Sequence, residues 1–245
     1  MRGRPVYRLT PRQAVIIIAR TANDSKLAPL AGDIGTDRLA SLLLATLRDT
    51  IAAAVRVDGA SIVVVAPDPD TVVHLRQLLP AGLDIVAPAE PVLIDRLDRF
   101  ALSAHEDRGF ERLLVLDGAV LRLTARIIGT GLGALANADA VVGGYRRGSR
   151  YAFGLLSRHI PAVIHSGILS VDDHHGVDET QDRLRRLRLG SRRLDPLPAT
   201  DAFLTLSELR DAIVGRAGLG RHTASELSVS NWADPILYEQ PRHTD

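Results

Sequence analysis

The chain has a single lysine, Lys26, and it stands in the segment ARTANDSKLAPLAG (19–32), directly after an apolar run. A lone cation in a loop at a strand end suits a phosphate contact, and it suits a solvated loop equally well. Arg20 is a second cation at the same strand end. Asp117 closes another apolar run, RLLVLD. A carboxylate there can hold a divalent ion, contact a ribose hydroxyl, or cap the turn that follows. Arg146 and Arg147, in GGYRRGSR (143–150), offer planar guanidinium forks of the kind that bind phosphate oxygens in pairs. The chain is rich in arginine, so a plain surface role fits them too.

Two clusters attract attention on composition alone. VDDHHGVDE (171–179) holds Asp172, Asp173, His174, His175 and Asp178. Adjacent residues on an extended segment point to opposite sides, so His174 and His175 do not share one ion. The expectation is a solvated loop entering a helix capped by Asp178. RLRRLRLGSRR (183–193) is basic, but Leu184, Leu187 and Leu189 interleave with the arginines and no aromatic residue is present for base stacking. It reads as an amphipathic helix with a solvated basic face.

Several function classes are excluded. With no cysteine, the chain has no disulfides, thiolate metal sites or cysteine nucleophiles. A net charge of +1 gives no global attraction to nucleic acid or membranes. No Gly-x-Ser-x-Gly elbow, Walker loop or Gly-x-Gly-x-x-Gly fingerprint occurs. The apolar run at 14–19 is too short for a signal-peptide core, and no window approaches the roughly 18 apolar residues of a membrane helix. The expected location is cytoplasmic.

These residues need a scaffold that brings strand ends together. AVIIIA (14–19), SIVVVA (61–66), LDIVA (83–87), RLLVLD (112–117) and DAVVGG (139–144) are apolar without alternation. That pattern belongs to strands of a parallel sheet covered on both faces. Helical periodicity lies between them. Residues 37–57 carry Leu39, Leu42, Leu43, Leu47, Ile51 and Val55 at spacings of three and four. Asp68 or Asp70 caps a helix running to Leu79, with Pro69 in its first turn. Residues 91–105 and 124–136 form two more, the second capped by Thr124. Beyond them, 149–155 reads as a strand, 178–189 as a charged helix and 204–216 as a closing helix. The alternation predicts an α/β three-layer αβα sandwich around an open, mostly parallel sheet. Ligands of such sheets bind beyond the carboxyl ends of the strands, which gathers residues 19–32, 66–70, Asp117 and 143–155. One domain is expected over 1–216, with 217–245 a C-terminal extension that is either loosely ordered or docked through Trp232 and Tyr238.

Taken in order, the segments also follow a known pattern. Ala19 and Arg20 close the first strand, and Ser25, Lys26, Leu27, Ala28 and Pro29 match a Thr-Arg-Leu-Ala-Pro element. Leu47, Asp49 and Thr50 match the Asp-Thr step of a long helix, and residues 93–97 a Leu-Gly-x-Arg-Leu element. Residues 117–124 echo an Asp-x-Pro-x-Leu-Thr segment with two residues inserted, and Thr205, Glu208 and Leu209 echo a closing acidic motif. Over residues 14–213 the chain resembles the bacterial GT-A-like glycosyltransferases of the DUF2064 group, of the nucleotide-diphospho-sugar transferase superfamily. It resembles the phospholactate guanylyltransferases more distantly. The resemblance implies a Rossmann-like GT-A sheet and a nucleotide or nucleotide-sugar ligand. It also implies nucleotide contacts at Ala19, Arg20, Lys26, Asp117 and Arg147, with magnesium or manganese at Asp117.

The departures from that pattern bear on activity. The first loop has no glycine between Arg20 and Lys26, and Asp24 stands at its lysine position, where a carboxylate facing phosphates is repulsive unless a metal intervenes. Arg147 stands at an acidic position. Two late acidic positions are Ala202 and Leu204, with Asp201 one residue away. Two functions follow. One is a nucleotide-sugar or nucleotidyl transferase in which Lys26 and Arg20 hold phosphate while Asp117 holds an ion or the ribose. The alternative is a non-catalytic relative that binds a nucleotide or a protein partner. Self-association stays open in both.

Overall fold

The computed structural model describes residues 12–89, 97–103, 108–145, 150–166, 168, 176–197 and 219–229. The first half of the chain runs β1 (Gln13–Ile18), α1 (Ala28–Ile34), α2 (Thr36–Val55), β2 (Ala60–Val65), α3 (Pro69–Leu78), β3 (Asp84–Val86) and α4 (Leu97–Ser103). The second half runs β4 (Arg112–Asp117), α5 (Ala125–Ala134), β5 (Ala140–Gly144), β6 (Arg150–Leu156), α6 (Ile160–His165), α7 (Val177–Arg186), β7 (Ser191–Arg193) and α8 (Arg221–Val229). Short 3-10 turns at Ser25–Leu27 and Ser157–His159 lead into α1 and α6.

The side chains of β1 divide between two faces. Val15 and Ile17 enter one apolar cluster, while Ala14, Ile16 and Ile18 enter another. A fully buried Val or Ile stabilises by about 1.5–3 kcal/mol, and neither face of this strand is left to water. Leu47 and Ile51 of α2, Leu75 of α3 and Ile128 of α5 cover the first face. Leu102 of α4, Ile160 of α6 and Val177 of α7 cover the second. The apolar runs lack alternation for this reason.

The seven strands are ordered β3-β2-β1-β4-β6-β5-β7. All pairs are parallel except those of β6, which runs antiparallel to both β4 and β5. The sheet is therefore mostly parallel, with helices on both faces. Ile18 lies opposite Val65 on one side and Asp117 on the other, so the carboxyl ends of β1, β2 and β4 stand level. A third apolar cluster joins Leu30 and Ile34 of α1, Leu39 and Leu42 of α2, Leu121 and Leu227.

Local signals set the helix starts. Asp68 is the α3 cap: its carboxylate accepts from the Thr71 N–H at 2.7 Å and the Thr71 hydroxyl at 2.9 Å. Thr124 caps α5 through the Ile127 N–H. Within the segment 217–245, α8 packs on α2, and its first N–H groups are capped by a distant side chain. Asp49 of α2 accepts from His222 N at 2.9 Å and Thr223 N at 2.8 Å.

Two expectations are corrected. Asp178 does not cap α7, whose cap position is Gly176; it lies in the first turn and pairs with Arg193 at 2.9 Å. The basic run 183–193 is not one helix. Leu189 N donates to Leu184 O at 3.0 Å and Arg188 N to Arg185 O at 2.9 Å, with Arg188 at φ 60°. This pair of bonds around a left-handed residue ends a helix, and the rest of the run becomes edge strand β7. The tracts holding His174, His175, Arg146, Arg147, Ala202, Leu204, Trp232 and Tyr238 lie outside the described residues, as does 204–216. No helix among the described residues is long and apolar enough to cross a membrane.

Candidate functional site

The main chain leaving β1 is held on both sides. Ala19 N donates to Val65 O at 2.8 Å, and Gly118 N donates to Ile18 O at 2.8 Å. A Cβ at Gly118 would lie 2.5 Å from Ile18 O, so only glycine lets the exits of β1 and β4 approach this closely. That approach sets Arg20 and Asp117 side by side, 97 residues apart in sequence.

Their side chains form a two-bond fork. Arg20 Nε donates to Asp117 Oδ1 at 3.1 Å and Nη2 donates to Oδ2 at 2.8 Å. From the other side, Arg20 Nη1 donates to Asp24 Oδ2 at 2.6 Å. The Asp24 side chain is fully buried, while those of Arg20 and Asp117 are 18% and 19% exposed. Asp117 Oδ1 also accepts the Ala119 N–H at 2.9 Å, so it caps the turn after β4 as well. Burial opposes the charge on Arg20, but Asp117 and then Asp24 outweigh it, and its pKa is held above the ordinary arginine value. Three of the five guanidinium N–H groups are used in these bonds.

A cleft of about 550 Å³ opens beside this fork, between α2 and α3. Ala19, Arg20 and Thr21 form its sheet-edge wall, Leu44 and Leu47 its aliphatic floor, and His74 part of its α3 side. Its volume lies in the range of small-molecule sites.

The sequence-expected residues distribute unevenly over this geometry. Ala19, Arg20 and Asp117 meet at one point. Lys26 lies in the 3-10 turn that follows, with its side chain outside the described residues, and Arg147 is outside them altogether. Asp24, which the sequence reading set at a lysine position of the pattern, is buried and bonded to Arg20. The i, i+4 spacing of Arg20 and Asp24 was the available signal. His74 was not singled out from sequence, and nothing in its neighbourhood of Val and Leu marks it.

No protein-family model matches the chain, and no curated protein matches it in sequence. Solved structures do match. The chain is similar to a Desulfovibrio desulfuricans protein assigned as a nucleotide-diphospho-sugar transferase, with 16% identity and a TM-score of 0.74, covering 93% of this chain and 97% of that one. It is similar to a CMP:2-keto-3-deoxy-manno-octonic acid synthetase solved with CTP, at 14% identity and TM-score 0.53, covering 83% and 99%. A Mycobacterium tuberculosis protein solved with manganese aligns at 15% identity and TM-score 0.51, covering 82% and 97%. The chain has the nucleotide-diphospho-sugar transferase fold. At these identities the likeness speaks for the fold alone.

Manganese in a protein of this fold raises the question of whether Asp117 suits a divalent ion. Both of its oxygens accept from Arg20. A divalent ion about 4 Å from the guanidinium would meet a repulsion of roughly 8 kcal/mol at an effective dielectric near 20. Hard cations also need several oxygen ligands, and among the described residues no three acidic or histidine side chains gather at a point. As arranged, this donor set does not fit the ion.

Proposed function

We propose that the chain binds a nucleotide or nucleotide sugar in the cleft beside Arg20, as a non-catalytic relative of the transferases that share its fold. One observation carries this reading: the cleft opens at the carboxyl end of β1, with Arg20 on its wall and aliphatic side chains on its floor. Aliphatic walls accept the faces of a nucleobase, and Thr21, Ser41 and His74 supply polar groups for its edges or for a ribose. Ligands of open α/β sheets bind at this edge. The reading is non-catalytic because Asp117, the carboxylate that the resemblance assigns to an ion, is bound to Arg20 through both oxygens and is not among the residues that line the cleft.

Thermal unfolding against a panel of nucleoside triphosphates and nucleotide sugars tests it. A ligand at a hundred times its dissociation constant adds about 2.7 kcal/mol, a clear rise in midpoint. The rise should vanish in Leu44→Trp, which fills the cleft floor, while that variant keeps its circular dichroism spectrum. No rise with any ligand would refute binding. A transferase reading is supported by the neighbours' names, one of them a synthetase holding CTP. Release of diphosphate or transfer of a sugar, dependent on manganese and lost in Asp117→Asn, would favour it instead.

A further inference from the structure

We infer that the guanidinium of Arg20 takes the place of a divalent cation between Asp24 and Asp117, so that this site works without metal. The inference rests on the proposed ligand site but is tested apart from it.

Two carboxylates, Asp24 and Asp117, come from separate segments and converge on one positive centre at the carboxyl edge of the sheet. Converging carboxylates are what a hard cation asks of a protein. Here the positive centre belongs to the chain itself. It is fixed by three hydrogen bonds, one to Asp24 and two to Asp117. The Asp24 side chain has no exposure at all, so it has no route to an ion that arrives from solvent while Arg20 is in place. The other two N–H groups of Arg20 bond to no other described residue, and Arg20 lines the cleft. A guanidinium presents donors in a plane that matches phosphate oxygens, which gives it the contact to a ligand that a bridging cation makes.

Manganese alone, titrated into the full chain and counted by the loss of the free-ion electron paramagnetic resonance signal, tests this directly. The native chain should bind no manganese whose binding is lost in Asp117→Asn. Arg20→Gln and Arg20→Ala, with folding checked by circular dichroism, should each uncover the carboxylates and bind manganese at least tenfold more tightly than the native chain. Adding Asp117→Asn to either variant should abolish the gain. Asp117-dependent manganese binding by the native chain would overturn the inference. So would folded Arg20 variants with no gain, or a gain that survives Asp117→Asn. If a nucleotide binds, its affinity should change less than twofold on adding a chelator; a requirement for manganese there would overturn the inference as well. Failure of every nucleotide to bind would count against the ligand reading only, because the manganese titration stands without it.

Discussion

Asp49 and Gly220 meet so closely that a Cβ added at Gly220 would lie 2.1 Å from Asp49 Cγ. The contact lets the Asp49 carboxylate receive the His222 and Thr223 N–H groups and seats Leu227 in the cluster with Leu39 and Leu42. Losing a helix cap costs about 1–2 kcal/mol. Asp49→Ala should therefore destabilise by that amount and speed hydrogen exchange across 221–229. Gly220→Ala should loosen α8 further, because the intruding methyl would also lie 2.5 Å from Asp49 Cβ, which no side-chain rotation moves. Unchanged exchange in both variants would mean that α8 is held by its apolar side alone.

The fork between Arg20 and Asp117 gives a stability prediction independent of any ligand. Asp117→Asn removes a charge from a mostly buried pair and leaves Asp24 as the only carboxylate bonded to Arg20 among the described residues. Stranding a partly buried charge costs about 2–3 kcal/mol. Arg20→Lys should lose a similar amount, since a point ammonium cannot make both bonds to Asp117. Urea unfolding with unchanged slope would read the loss; a change below about 0.5 kcal/mol for both, the scale of an exposed ion pair, would show the fork to be ornamental.

The contrast between these two contacts shows what a sequence of this kind discloses. β1, β2 and β4 are written as unbroken apolar runs because helices cover both faces, and that pattern is local. Asp68 and Thr124 announce their helices because a cap acts within three residues. Asp49 and Asp117 are different. Their partners lie 173 and 97 residues away, and no periodicity encodes a pairing made by the closure of the whole fold. The bond between Asp24 and Arg20 was not anticipated either, since the loop was read without the strand end beside it. The end of α7 was hidden by chemistry: the left-handed position that usually holds glycine holds Arg188.

That substitution predicts a gain. Arg188 is exposed and sits at φ 60°, a conformation costing a residue with a Cβ about 1–2 kcal/mol, which glycine avoids at some loss of unfolded-chain entropy. Arg188→Gly should stabilise by about 0.5–1 kcal/mol in urea unfolding. A loss of stability would mean that the Arg188 side chain makes a contact worth more than the strain.

The last prediction concerns pH and the opposite edge of the sheet. Asp139 precedes β5 and ties three segments together. Its Oδ2 accepts the Gly190 N–H at 3.0 Å, the His159 Nε2 lies 2.9 Å from Oδ1, and Arg158 Nη2 donates to Oδ1 at 3.1 Å. The Gly190 bond first, then His159 and Arg158, hold the Asp139 carboxyl below its ordinary pKa against the opposing effect of burial. A carboxyl depressed in the folded state adds stability that is fully present above its unfolded pKa and is lost as pH falls through the folded value. The native chain should therefore keep an advantage of about 1 kcal/mol over Asp139→Asn at neutral pH. That advantage should persist down to the ordinary carboxylate range and close only below it. Urea midpoints of the two proteins measured from pH 7 to pH 2 would show this convergence. Parallel midpoints down to pH 2 would mean that the Asp139 charge does not hold this edge, and that its hydrogen-bonding shape, which asparagine keeps in part, does.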